Sequence, residues 1–344
     1  MIDEPEIIPL QESIRANRRI GNFSFCLSLF TFFLLLLHAD CGRESPVEKP
    51  LTVCSEAGAG TSPPNASRFG FFAPEMYQGY DQCIDSLVKV FGVNPGYFLW
   101  FQSIGDPFPS SVVASNTLRS ASTVISLSIS DTAADSLRND TLLREITLGR
   151  WDSVLTAFAD AAAATGVTVY LRFGYEMNGT WFPWGGKASW FIAAWNHAHA
   201  LFTVRGATNV RWLFTPGIVW DGLTVSGDIL PYYPGDSVVD GIGLDGYNYG
   251  DNYDQWHHWE SFGDVFKTSL LGIKNMGKPI WITEIGCPTD RRRPAWLADL
   301  FAFMDRNTCV QAFLYFNAHK TGEPDFRLQS DTASLDKIRA WLAR

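Results

Sequence analysis

The sequence predicts an α/β protein folded as a (β/α)8 TIM barrel, in a single domain behind an N-terminal signal or anchor segment. Three observations carry this. From Phe69 onward, short β-rich runs alternate with longer amphipathic stretches; eight strand runs can be counted; and the last is followed by one more helical pattern. An open, doubly wound sheet is the alternative, but an eighth strand with its own closing helix favours closure. The 344 residues suit one barrel of about 250 residues with additions.

The strand candidates, in order, are Phe69–Ala73, Tyr97–Ser103, Thr123–Ile129, Thr168–Tyr175, Val210–Thr215, Gly241–Tyr247, Ile280–Glu284 and Gln311–Phe316. Each is short and rich in β-branched or aromatic residues. The helical period is clearest in Arg150–Thr165, Ser189–Val204, Trp259–Met276, Pro294–Arg306 and Leu335–Leu342. No internal repeat is visible.

The first 45 residues stand apart. Phe23 to Leu37 carries no charge, Arg15, Arg18 and Arg19 precede it, and polar sequence follows from Arg43. A positive flank, a short apolar run and a polar exit describe a secretory signal, the run being short for a membrane span of about 20 residues. Cys41 stands where a lipid-anchored protein carries its acceptor, although His38-Ala39-Asp40 is a poor match to that motif. Export is expected, with release, a signal anchor and a lipid anchor all open as outcomes. The chain thus divides into residues 1–45 (signal peptide or membrane anchor), 46–67 (a Pro- and Gly-containing linker) and 68–344 (the barrel). An exported context permits a disulfide, and Cys54–Cys83 is the pair expected first.

Composition excludes several classes. With 46% hydrophobic and 18% charged residues the chain is neither disordered nor a small disulfide scaffold. A net charge of −9 argues against a nucleic-acid partner. The 13 Trp are more than a core usually takes, which points to a flat apolar ligand face as well.

In a barrel of this kind, chemistry sits where the strands end. The fourth strand runs into Tyr170-Leu-Arg-Phe-Gly-Tyr-Glu-Met-Asn-Gly-Thr-Trp-Phe-Pro-Trp-Gly185, and alternation puts Arg172, Gly174 and Glu176 on one face. The seventh runs Pro279-Ile-Trp-Ile-Thr-Glu-Ile-Gly286, with Ile280, Ile282 and Glu284 on one face. Two carboxyls across one mouth suit glycoside hydrolysis, in which one protonates the leaving oxygen and the other attacks or activates water. Trp181, Trp184, Trp220 and Trp256 fall in loops where a glycan would pass, whereas Trp151, Trp190 and Trp195 lie in helices and are expected in the core.

Glu-Met-Asn-Gly-x-Trp-Phe-x-Trp-Gly at 176–185, Gly-Leu-Asp-Gly-Tyr-Asn at 243–248 and Thr-Glu-Ile-Gly at 283–286 resemble glycoside hydrolase family 26. That family holds mannanases and related endo-β-glycanases in the large clan of retaining (β/α)8 glycosidases. The resemblance implies Glu176 as acid/base and Glu284 as nucleophile of a double displacement. It also implies that Tyr247, on the strand face of Asp245, hydrogen-bonds the nucleophile and that Trp181 lines the site. Mannanases of the family carry His before the acid/base, where Tyr175 stands here. Arg172, Tyr175, Trp181, Trp184, Trp220, Asp245, Tyr247 and Trp256 are accordingly the expected substrate-binding set.

The expected activity is a retaining endo-β-glycanase acting on mannan-type β-1,4 polysaccharide as a monomer, without cofactor or metal. The alternatives are a lichenase-like β-1,3-1,4-glucanase, an exo-glucanase or a β-xylanase and, in another class, an inactive glycan-binding barrel. Three further signals are set aside. Gly241-Ile-Gly-Leu-Asp-Gly246 matches a dinucleotide fingerprint but lies inside a strand, where its glycines make room in the barrel. His197 and His199 point to different helix faces, so they make a poor metal pair. Arg291-Arg292-Arg293 reads as a solvated basic face.

Overall fold

The computed structural model describes residues 50–54, 63–131, 136–219, 228–254 and 257–344. Eight parallel strands, β1 (Phe69–Phe72), β2 (Tyr97–Ser103), β3 (Ser122–Ser128), β4 (Val169–Phe173), β5 (Val210–Phe214), β6 (Gly241–Tyr247), β7 (Ile280–Gly286) and β8 (Val310–Phe316), pair in chain order, and β8 closes on β1. The helices are α1 (Tyr80–Phe91), α2 (Ser110–Leu118), α3 (Ser136–Thr147), α4 (Asp152–Thr165), α5 (Ala188–Val204), α6 (Phe262–Ile273), α7 (Arg293–Arg306) and α8 (Thr332–Leu342). Two of them, α3 and α4, stand between β3 and β4. Local signals fix the starts of α6 and α8. Ser261 and Asp264 form a reciprocal capping box, and the Asp331 carboxylate accepts from the Ser334 amide. The signal segment, Cys41, Trp220 and Trp256 lie outside the described residues.

The barrel lumen is filled in layers. Tyr97, Tyr170 and Trp281 come from non-neighbouring strands, yet their rings lie 4.9 to 5.9 Å apart, so all three point inward at the foot. Above them sits a polar layer of Ser126, Arg172, Thr215, Asp245 and Thr283, joined by hydrogen bonds. Gly243 belongs to this level, where a β-carbon would run into the Thr283 hydroxyl and the Thr215 methyl. Of the set-aside fingerprint, Gly241 and Gly243 therefore do make room, beside Trp281 and Thr283 respectively.

Alternation fails at both glutamates, for different reasons. On β7, Leu244 pairs with Ile282 but Asp245 pairs with Glu284, leaving Thr283 as an extra residue. That bulge turns Thr283 and Glu284 both into the lumen. Trp281, not Ile280 or Ile282, shares the inner side with Glu284. On β4 the strand ends at Phe173, and the backbone swings out through positive φ at Gly174 (60°) and Glu176 (51°). Among the described residues only Ser120 and Glu176 are non-glycines with positive φ. Such a conformation costs about 1–3 kcal/mol and clusters at functional sites.

The linker expectation needs revision where the chain is described. Residues 50–54 lie along the foot of β8. The Asn307 carboxamide accepts from the Val53 amide at 2.7 Å and donates to the Leu51 carbonyl at 3.2 Å. Cys54 is bonded to Cys309, not to Cys83, which is a free thiol on α1. The true partner is 255 residues away in sequence and close only because the barrel closes. Among the helical tryptophans, Trp195 and Trp151 are buried as expected, but Trp190 is 44% exposed. The arginine run is only partly a solvated face: Arg291 is exposed and Arg292 partly so. Arg293 is fully buried and donates to Cys287 O, Arg327 O, Ser330, Ser334 and Asp331.

Candidate active site

The loop after β4 is built around Glu176. Its amide donates to the Thr215 carbonyl at the end of β5 (2.8 Å), and the Asn178 carboxamide clamps both polar groups of Gly217 at 2.8 and 2.9 Å. These bonds hold the unusual backbone of Glu176 in place and tie the β4 loop to the β5 loop. Asn178 is 1% exposed, and its carboxamide oxygen and nitrogen are both engaged by Gly217. Trp181 folds back so that its indole lies on Gly179, where any β-carbon would collide with the ring. Its Nε1 donates to Glu176 Oε2 at 2.5 Å.

Opposite, the Tyr247 hydroxyl donates to Glu284 Oε2 at 2.5 Å, and Glu284 Oε1 lies 2.7 Å from an Arg172 guanidinium nitrogen. Burial, with the Glu284 charge beside it, holds the Tyr247 hydroxyl well above its usual range, so it stays a donor. The expected substrate contacts Arg172 and Asp245 instead form the floor. Arg172 has no exposed surface and donates to Asp245, Ser126 and Thr215, while Thr283 donates to the other Asp245 oxygen at 2.6 Å. A buried guanidinium needs such partners because an unpaired charge there is costly.

Oxygens of Glu176, Asp245 and Glu284 lie within 4.8 Å of one another. Three carboxylates at that spacing suit a cation, but Arg172 already bridges Asp245 and Glu284 and answers their charge. Among the described residues, Glu176 has no such cation in contact. Burial, reinforced by the Glu284 charge, pushes its carboxyl up to about 8, against which the Trp181 hydrogen bond works. The two glutamates therefore differ: one is held neutral near pH 7, the other is supplied with donors.

Two more expected contacts are packed away. Trp184 is buried, stacked on Phe182 at 4.5 Å, and donates to the Tyr175 carbonyl at 2.7 Å, so it braces the loop rather than facing a glycan. Tyr175 is 5% exposed, with its hydroxyl 3.0 Å from Ser128 Oγ and the Arg172 guanidinium 5.1 Å from its ring centre. Trp181 and Tyr247 remain half-buried at the mouth with Glu176. Sequence reading missed Ser126, Thr215 and Thr283; small polar residues inside otherwise apolar strands were the signal.

Residues 144–279 match the model of glycosyl hydrolase family 26. Endoglucanase H of Acetivibrio thermocellus is 31% identical over 204 residues, 57% of this chain and 22% of that protein. The mannan endo-1,4-beta-mannosidase A and B of Caldalkalibacillus mannanilyticus is 35% identical over 152 residues, 40% of this chain and 26% of that protein. The chain thus spans about a quarter or less of the length of these curated relatives. In fold it is similar to the GH26 beta-mannanase of Bacteroides ovatus, with a TM-score of 0.60 at 18% identity over 80% of this chain and 88% of that one. Residues 144–279, which carry Glu176, Asp245 and Tyr247, are thus similar to glycosyl hydrolase family 26.

Proposed function

We propose that the protein is a retaining endo-β-glycanase that hydrolyses a β-1,4-linked, mannan-type polysaccharide by double displacement. The observation that carries this reading is the approach of Glu176 and Glu284 oxygens to within 4.8 Å. That is near the ~5–5.5 Å of retaining enzymes and short of the ~6.5–9.5 Å that inverting enzymes need for a water.

In the first step Glu284 Oε1 attacks the anomeric carbon as the glycosidic C–O bond breaks, and the leaving oxygen takes the Glu176 proton. Oε1 suits that task, because it accepts no well-aligned hydrogen bond while Oε2 is held by Tyr247. Forming the ester removes the Glu284 charge, which lowers the hold of Glu176 on a proton. In the second step Glu176 takes a proton from water, the hydroxyl oxygen attacks the anomeric carbon, and the ester bond breaks to restore Glu284 as carboxylate. A binding-only barrel has no use for two carboxyls in such opposed environments.

A β-glucan is the second reading. Tyr175 stands where the family's mannanases carry His, and the endoglucanase relative covers more of this chain than the mannosidase does. Export completes the proposal, and the Cys54–Cys309 bond supports it, since disulfides persist in oxidising compartments. Reducing-sugar release from mannan, mixed-linkage β-1,3-1,4-glucan and xylan tests the activity. Wild type is expected to cleave mannan, or glucan on the second reading, and Glu284→Ala neither. Inertness of wild type on all three, or full activity of Glu284→Ala, overturns the assignment.

A further inference from the structure

We propose that the loop after β6 carries an aromatic subsite, formed by Tyr249, Tyr253 and His257, that binds one neutral sugar unit beside the unit being cleaved. The proposal rests on the reading of the site as a β-glycan hydrolase. Its geometry starts at the nucleophile's own partner. The Tyr249 ring lies 5.7 Å from that of Tyr247, whose hydroxyl holds Glu284. Tyr253 stacks on Tyr249 at 4.7 Å and 22°, and the His257 ring lies 4.7 Å from Tyr249 and 5.1 Å from Tyr253. The three rings form a wall that leads outward from Glu284, and each remains only partly covered. Aromatic faces of this kind cover the apolar C–H faces of pyranose rings, while hydroxyl and imidazole edges meet sugar hydroxyls.

The wall is held by its base. The Asn248 carboxamide donates to the Glu260 carbonyl at 2.7 Å, and the Asp251 carboxylate accepts from the Trp259 amide at 2.7 Å. Arg292, from the β7 loop, donates to Asp251 and Asp290 and lies 4.2 Å over the Trp259 ring. A platform fixed before the ligand arrives loses less freedom on binding it. Charge selects the sugar class. Asp254 bonds His257 at 2.8 Å, and Glu323, whose charge reaches Tyr249, has Lys320 3.8 Å away. Each of these carboxylates stands beside a basic group, so the wall offers aromatic faces rather than a net charge, which suits a neutral sugar.

The test compares wild type, Tyr253→Ala and Tyr253→Phe on mannohexaose, or cellohexaose if glucan is the substrate, with KM and kcat separated. Tyr253→Ala is expected to raise KM about tenfold, corresponding to about 1.4 kcal/mol of lost stacking, with kcat changed less than about twofold. Tyr253→Phe keeps the ring and should restore most of the affinity. Thermal melting checks that both variants fold. An unchanged KM in a folded Tyr253→Ala overturns the subsite while the enzyme assignment stands. A wild type inert on every glycan overturns both.

Discussion

Replacing Glu284 by Gln keeps the shape of the site but removes one charge, and Glu176 should report the loss. Their nearest oxygens lie within 4.8 Å. At an effective dielectric of about 20, unit charges at that distance interact by about 3 to 4 kcal/mol, or roughly two to three pH units. Glu176, pushed up to about 8 by burial and then by Glu284, should therefore titrate about two to three pH units lower in Glu284→Gln. Arg172, freed from one carboxylate, acts in the same direction. Carbon-13 NMR of the glutamate side-chain carboxyls across pH 3–10, assigned with Glu176→Gln, reads the value directly. In wild type the same titration predicts activity lost as pH rises through about 8, because the acid must start protonated. A Glu176 that titrates at the same pH in both proteins would refute the idea that the nucleophile's charge holds the proton on the acid.

Other perturbations follow from particular contacts. Trp181→Phe removes the only donor seen on Glu176 Oε2 among the described residues, so the alkaline limb of the activity profile should move up; a limb that stays or falls contradicts that role. Arg172→Met leaves Asp245 and Glu284 buried without their cation and should cost about 3–5 kcal/mol, read as the loss of stability in urea unfolding. Cys54→Ser opens a loop of 255 residues and should cost about 5 kcal/mol on the chain-entropy account. Identical urea midpoints with and without the bond would contradict that estimate.

Strand order and barrel closure were legible because each β-rich run is short and each is followed by a helix or a long loop. The glutamates were legible because both end strands in tryptophan-rich sequence. Their orientation was not. Period-two counting has no knowledge of the bulge at Thr283 or of the positive φ at Gly174 and Glu176, both set by pairing and hydrogen bonds to other strands. Arg172 and Asp245 were found as charged residues near the mouth, but their burial as a mutual pair depends on the facing strand. Trp184 illustrates a related limit: a loop tryptophan reads the same whether it faces a ligand or braces a turn. The disulfide was out of reach for a similar reason, since spacing says nothing about which distant segment lies against the foot of β8. Tyr249 and Tyr253 went unread, because their stacking depends on the shape of the loop after β6.

The stereochemistry of the first product tests the central claim most directly. Proton NMR during the first minutes of hydrolysis, before mutarotation, resolves the anomeric signals of newly formed reducing ends. With Glu284 attacking and Glu176 within 4.8 Å of it, the account predicts the β-anomer first, with the α-anomer growing in later. An α-anomer at the outset means a single inversion and contradicts a covalent role for Glu284.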